Sequence, residues 1–144
     1  MDGSTSQRPR RTSSGPGRLL VLVYGIFALS ATARAAVQIA TKFSEAPAAY
    51  LLSAFAALVY VCATVGLARS GPGARRLATT AVTVELVGVL VVGTISLVQP
   101  DDFPDATVWS GYGHGYGYVP LVLPMLGLLW LWHTRRDIPA PGRA

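Results

Sequence analysis

Basic charge in this chain falls on every second connection between four apolar stretches, at 19–41, 47–68, 77–98 and 116–133. Arg8, Arg10, Arg11 and Arg18 precede the first stretch, Arg69, Arg75 and Arg76 separate the second from the third, and Arg135, Arg136 and Arg143 follow the fourth. The connection between the third and fourth carries Asp101, Asp102 and Asp105 and no Lys or Arg. Lysine and arginine accumulate on the cytoplasmic side of multi-pass proteins, so this alternation predicts four spans with both termini in the cytoplasm. The expected fold is an all-α, four-helix transmembrane bundle over 19–133, with residues 1–18 and 134–144 as cytoplasmic tails.

Composition agrees. Apolar residues make up 51% of the chain and charged residues 13%, with a mean hydropathy of +0.45, where a soluble domain carries about 25% charged residues. The 144 residues leave room for one domain,. A net charge of +5 could point to nucleic acid, but ten of the twelve basic residues flank the apolar stretches. They are read as topology determinants beside anionic headgroups, and nucleic acid is not expected as a partner. Cys62 is the single cysteine and lies within the second stretch, so no internal disulfide can form,.

Each stretch is tested against a hydrocarbon layer of ~30 Å, which a helix crosses in about twenty residues. The second begins with Pro47, suited to a first helical turn, and Ser44 is the expected cap. The fourth is the shortest, and Pro120 and Pro124 predict a kink near its outer end. Tyr112, Tyr116 and Tyr118 at that end and Trp130 and Trp132 at the other suit two interfacial belts. Residues 1–17, rich in Ser, Gly, Pro and Arg, are expected to be disordered. Arg10-Arg11 followed by an apolar run and Ala33-Arg34-Ala35 resembles a secretory signal, but the helical pattern continues past that point, and the segment is read as a retained first span.

Two ionisable residues fall inside the spans. Arg34 shares a helical face with Ser30, Gln38 and Thr41, and Glu85 shares one with Ala81, Gly88, Val92 and Ser96,. A charge at the bilayer centre costs at least ~2.5–3.5 kcal/mol, so both should face the protein interior and seek partners. Counted from Leu19 and Leu77 at ~1.5 Å per residue, Arg34 lies ~22 Å and Glu85 ~12 Å from the cytoplasmic edge. A long arginine leaning toward its helix N-terminus could bridge most of that gap. Arg34, Gln38 and Glu85 are therefore the candidate intramembrane polar site, either as a buried pair that fixes helix register or as a proton or ion relay. Small residues repeat at Ala28, Thr32, Ala36 and Ala40, and at Ala49, Ser53 and Ala57, and such faces let helices approach closely in lipid.

The connection 99–118, QPDDFPDATVWSGYGHGYGY, alternates glycine with aromatic residues. Unlike in a potassium filter, no threonine-valine pair immediately precedes the glycine-tyrosine-glycine, and no adequate pore helix does either,. The three aspartates fall short of a calcium loop, and His114 and His133 would lie on opposite sides of the membrane, so no metal and no cofactor is expected. Glycine admits tight turns, and tyrosine prefers the interface, so this segment is expected to form a compact outer cap anchored by Trp109 and closed at Pro120. Asp105, Trp109, Tyr112, His114 and Tyr116 are its candidate contact surface. No nucleophile elbow, phosphate loop or dinucleotide fingerprint occurs, and the chain is not expected to be an enzyme.

The runs AVQIATKFSEAPAAYLLSAFAALVYV, VELVGVLVVGTISLVQPDDFPDATVWS and GYGYVPLVLPMLGLLWL resemble a family of small four-span integral membrane proteins of actinobacteria. The resemblance extends from Leu19 to Trp132. It implies the fold and a place in the bacterial cytoplasmic membrane, and it puts Arg34, Glu45, Glu85, Pro104, Asp105, Trp109 and the glycine-aromatic run in its most recognisable segments. It implies no catalytic activity. Two roles follow: a non-enzymatic accessory or structural component acting through a protein partner or as a homo-oligomer, or a small transporter or ion-coupled carrier using Arg34 and Glu85.

Overall fold

A computed structural model describes residues 15–102 and 107–135, and every regular element among them is helical. Four α-helices follow one another: α1 (Pro16–Lys42), α2 (Pro47–Ala68), α3 (Pro72–Val98) and α4 (Val119–Arg135). Short 3-10 turns occur at Phe43–Glu45 and Pro100–Asp102, and a tightly wound segment, Ser110–Tyr116, kinked by left-handed backbone at Gly111, Tyr112 and Gly113, precedes α4. Residues 1–14 of the expected disordered tail, Pro104 and Asp105 lie outside the described residues, whereas Pro16 and Gly17, also expected to be disordered, form the first turn of α1.

The first three α-helices each start with proline in the first turn. Its fixed φ suits a helix, and the amide it lacks would have had no partner there. This chemistry places the helix starts upstream of the apolar boundaries. α3 begins at Pro72 rather than 77 and carries Arg75 and Arg76 in its opening turns, and α1 begins at Pro16 rather than 19. An apolar boundary marks a change of solvent, and a helix runs through it. The residue preceding α2 is Ala46, with no side-chain cap, and the expected cap Ser44 sits inside the Phe43–Glu45 turn.

The fourth stretch departs most from expectation. α4 starts at Val119 rather than 116, and Ser110–Tyr116 meets it at 98°. The break belongs to Gly117 and Tyr118, both left-handed at φ 63° and 61°. Pro120, expected to help break the helix, lies buried in the first turn of α4, and the helix continues through Pro124. Three helical segments, Pro16–Glu45, Pro47–Ala68 and Pro72–Val98, are long and apolar enough to cross a membrane, and there are up to four if Ser110–Tyr116 and the helix after it count as one bent span.

α1 packs along α2, α2 along α3, and α3 along α4 and Ser110–Tyr116, while α1 and α4 touch little. Tyr24, Tyr60, Leu67, Val82, Val89, Trp109, Leu123 and Leu131 form the buried centre. The small-residue face of α2 is packed as expected, with Ala49, Ser53 and Ala57 buried. Of the small-residue face of α1 only Ala28 is buried, and Thr32, Ala36 and Ala40 face outward. A close approach of two helices occurs at Gly66, where a Cβ would come 2.5 Å from the Ala78 backbone nitrogen. Outward-facing Leu22, Leu29, Leu51, Leu58, Leu97, Met125 and Leu129 are all more than 45% exposed. An apolar exterior of this extent is compatible with a membrane protein and costly in water.

Candidate functional site

Glu85 sits on the face of α3 formed by Ala81, Val82, Val89 and Val92, and it is fully buried. Its small neighbours leave space for two tyrosines from other helices. The hydroxyl of Tyr24 on α1 donates to Glu85 Oε1 at 2.6 Å. Tyr60 on α2 lies 6.2 Å from Tyr24, ring to ring, and interacts electrostatically with the same carboxylate. Glu85 Oε2 is equally buried and has no hydrogen-bonding partner. Since an unsatisfied buried oxygen forfeits its hydration with no compensation, such a group calls for an explanation beyond packing.

The outer end of this cluster is closed by Trp109. Its indole Nε1–H donates to the Tyr60 hydroxyl at 3.0 Å, and its ring contacts Phe55 and Tyr60 edge-on. The indole lies against Gly88, where a Cβ would come 2.5 Å from the ring. Glycine on the Glu85 face therefore serves ring seating. Gly93, one turn further along α3, does the same for Tyr112, whose hydroxyl shares a 2.8 Å bond with Thr94.

Residues 107–116 are held by short-range bonds of their own and by a bond to α3. The Thr107 amide donates to Ser110 Oγ at 2.8 Å, the Trp109 amide to Thr107 Oγ1 at 3.2 Å, and the Gly111 amide to Ser96 Oγ at 2.8 Å. Trp109 and Tyr112 anchor the segment on the helices. His114 and Tyr118 meet edge to face at 6.2 Å and are exposed.

Arg34 occupies a different environment. It is exposed, and its Nη1 donates to the Tyr116 hydroxyl at 2.8 Å. Arg34 and Glu85 thus bond to separate tyrosines, where the sequence suggested that the two could pair. Gln38, one turn beyond Arg34, is buried, and its Oε1 has no hydrogen-bonding partner. Of the expected polar face on α1, Ser30 and Thr41 are exposed and only Gln38 turns inward.

Two openings adjoin Arg34. A cavity of about 20 Å³ is lined by Phe27, Ser30, Arg34, Ser53, Val108 and Tyr116. An open pocket of about 570 Å³ lies between Arg34, Ser96, Thr107, Ser110 and His114. Glu85 lines neither. Among the described residues, no three of His, Cys, Asp and Glu converge as metal ligands would.

Tyr24 and Tyr60 are the residues that sequence reasoning missed. A signal for Tyr24 was present: counted from the same span edges at ~1.5 Å per residue, it lies only ~5 Å in depth from Glu85, against ~10 Å for Arg34. The chain matches no protein-family model, and no curated protein and no solved structure is similar to it.

Proposed function

We propose that this chain crosses the bacterial cytoplasmic membrane four times, with both termini in the cytoplasm, and works there as a non-enzymatic accessory or structural component. The arginine asymmetry supports the orientation, and the length and apolarity of the helices support the spans,. The observation that carries the role is the sealing of the interior. The ionisable group at its centre, Glu85, is fully buried, lines neither opening beside Arg34, and is enclosed by Tyr24 on α1 and, through Tyr60, by Trp109. A closed polar core fixes helix register, which is what a scaffold for a partner needs. The outer surface of His114, Tyr116 and Tyr118 is the face offered to that partner or to a second copy of the chain.

Thiol labelling in intact cells tests the topology. Gly73 and Gly115 have open space where a Cβ would go. Gly115→Cys should react with a membrane-impermeant reagent, and Gly73→Cys should react only after lysis. The reverse pattern would overturn the orientation. Recovery of one stoichiometric partner from native membranes, abolished by substitutions at His114 and Tyr118, is the expected outcome for the role.

A second reading, a small carrier, is favoured by one observation. Glu85 Oε2 has no partner in an otherwise packed interior, and intramembrane carboxylates commonly mark ion or substrate pathways. In that reading Glu85 is the coupling group, and Arg34 stands at the outer mouth.

A further inference from the structure

A second region of polar chemistry lies at the end of the bundle opposite Arg34. The first turns of α3 and the last turns of α4 enclose an open groove of about 300 Å³, lined by Arg75, Thr79, Leu128, Leu131 and Trp132. Its lining is graded along its length. Arg75 and Trp132 stand near the helix ends, and Thr79 and Leu128 lie one turn deeper, four residues along their own helices,. Leu131, only 3% exposed, forms the floor.

The guanidinium of Arg75 is held at this groove. Its Nη1 donates to Thr134 Oγ1 at 3.1 Å, and that fully buried hydroxyl donates in turn to the Trp130 carbonyl at 2.9 Å. A hydroxyl whose proton is committed to the helix backbone keeps its lone pairs for the arginine. Arg75 is therefore drawn from α3 toward α4 and is partly buried, whereas Arg76 beside it is exposed and does not line the groove. The surrounding charge has one sign. Arg18, Arg69, Arg75 and Arg76 gather at this end, and no Asp or Glu among the described residues does; Glu45 and Asp101 lie at the other end. An anion is favoured here.

We propose that the groove between α3 and α4 binds one anionic phospholipid, with its phosphodiester on Arg75, its glycerol beside Thr79 and an acyl chain along Leu128 and Leu131. The proposal rests on the reading of this chain as a four-span membrane protein and adds a specific lipid to it. The planar fork of arginine matches two phosphate oxygens, and basic pockets between spanning helices on the cytoplasmic side take anionic headgroups. A cation, a hydroxyl one helical turn (~5.4 Å) deeper and an apolar wall follow in the order of phosphate, ester-linked glycerol and chain. A soluble phosphate ester would use only the first of these. Trp132, 53% exposed on the facing rim, suits the headgroup level at which indoles collect,. Because α1 and α4 touch little, α4 depends on α3 for its place, and a lipid seated between them would hold that contact together.

The test uses the full chain in mild detergent at physiological salt. Phosphatidylglycerol and phosphatidylcholine with the same chains are added in equal amounts, and bound lipid is counted by native mass spectrometry. One phosphatidylglycerol should be retained in preference to phosphatidylcholine; equal retention of the two overturns the proposal. Arg75→Gln should weaken retention about tenfold, the scale of one charge-assisted hydrogen bond. Arg76→Gln removes the same charge outside the groove and should weaken it less than about threefold, as a screened exposed charge does. Leu128→Trp fills the apolar end and should abolish retention with every arginine in place. Equal losses in Arg75→Gln and Arg76→Gln, or unchanged retention in Leu128→Trp, would overturn the proposal and leave diffuse attraction to a basic surface. Where one of Arg75→Gln and Leu128→Trp does not fold, the other decides. Displacement of the lipid by glycerophosphoglycerol at matched concentration would also overturn it, in favour of a site for free phosphate esters. Detergent gives lipid access to both ends of the bundle, so these outcomes do not depend on orientation. Labelling of Gly73→Cys in intact cells reports that separately, and a reversed orientation would leave the lipid site standing.

Discussion

Glu85 is enclosed by three aromatic side chains and takes its hydrogen bond from another helix, whereas Arg34 is exposed and reaches the outer segment through Tyr116. Both are single ionisable residues within apolar helices, and either is costly to leave charged in hydrocarbon. The difference lies in how each side chain can escape that cost. Arginine is long enough to bring its guanidinium to a polar rim while its stem stays among apolar groups. Glutamate cannot reach so far, so the helices must bring donors to it. The inner region is therefore built around its charge, and the outer region is reached by its charge.

The largest expected effect separates the two regions directly. Glu85→Ala would leave a cavity and an unpaired Tyr24 hydroxyl, costing about 2–4 kcal/mol of unfolding free energy. Arg34→Ala should cost less than about 1 kcal/mol, as exposed polar contacts generally do. Reversible unfolding in mixed micelles measures both. An arginine effect equal to the glutamate effect would mean that the regions are not distinct.

Coupling sharpens the comparison further. A double-mutant cycle between Tyr24→Phe and Glu85→Leu should give an interaction of about 1–2 kcal/mol, because the two side chains share a buried hydrogen bond. The corresponding cycle between Arg34→Met and Glu85→Leu should stay below about 0.5 kcal/mol, as for separate sites. A large value in the second cycle would restore the ion pair suggested by the sequence.

These two sites also show what the sequence could convey. That Glu85 faces inward was legible, because small residues recur on its side of α3 and a carboxylate in an apolar helix has few other options. That Trp109 anchors the outer segment was legible from its setting between polar turn residues and the glycine-aromatic run. Its exact seat was not, because it depends on Gly88, an inconspicuous glycine eleven residues before Gln99. Tyr24 and Tyr60 were passed over because tyrosine within a valine- and leucine-rich run reads as one more apolar residue. Its hydroxyl matters only once a partner from another helix is known. The arginine partner was a reasonable expectation from charge alone, but charge pairing ignores that a neutral hydroxyl can satisfy a buried carboxylate at lower desolvation cost. Helices α1 and α3 begin upstream of their apolar stretches because hydropathy marks solvent and the prolines mark helix geometry. The bend before α4 was assigned to prolines, whereas Gly117 and Tyr118 make it through left-handed backbone.

The smallest expected effect concerns the outer region alone. Tyr116→Phe removes the acceptor for Arg34 Nη1 and keeps the ring that contacts Phe27 at 5.7 Å. The loss of one exposed hydrogen bond should change global stability by only about 0.5 kcal/mol. Its local effect should be larger, because this bond crosses from α1 to the segment that carries Trp109. Protease cleavage within 110–118 should rise in Tyr116→Phe, while the fluorescence of Trp109, measured with Trp130 and Trp132 changed to Phe, should stay that of a buried indole. Seating of Trp109 depends on Gly88 and Tyr60, which this substitution leaves in place. If the fluorescence shifted toward that of an exposed indole, the outer contact would be what holds the indole in the core. The charge at the rim would then control the enclosure around Glu85, and the division between the two regions would fail.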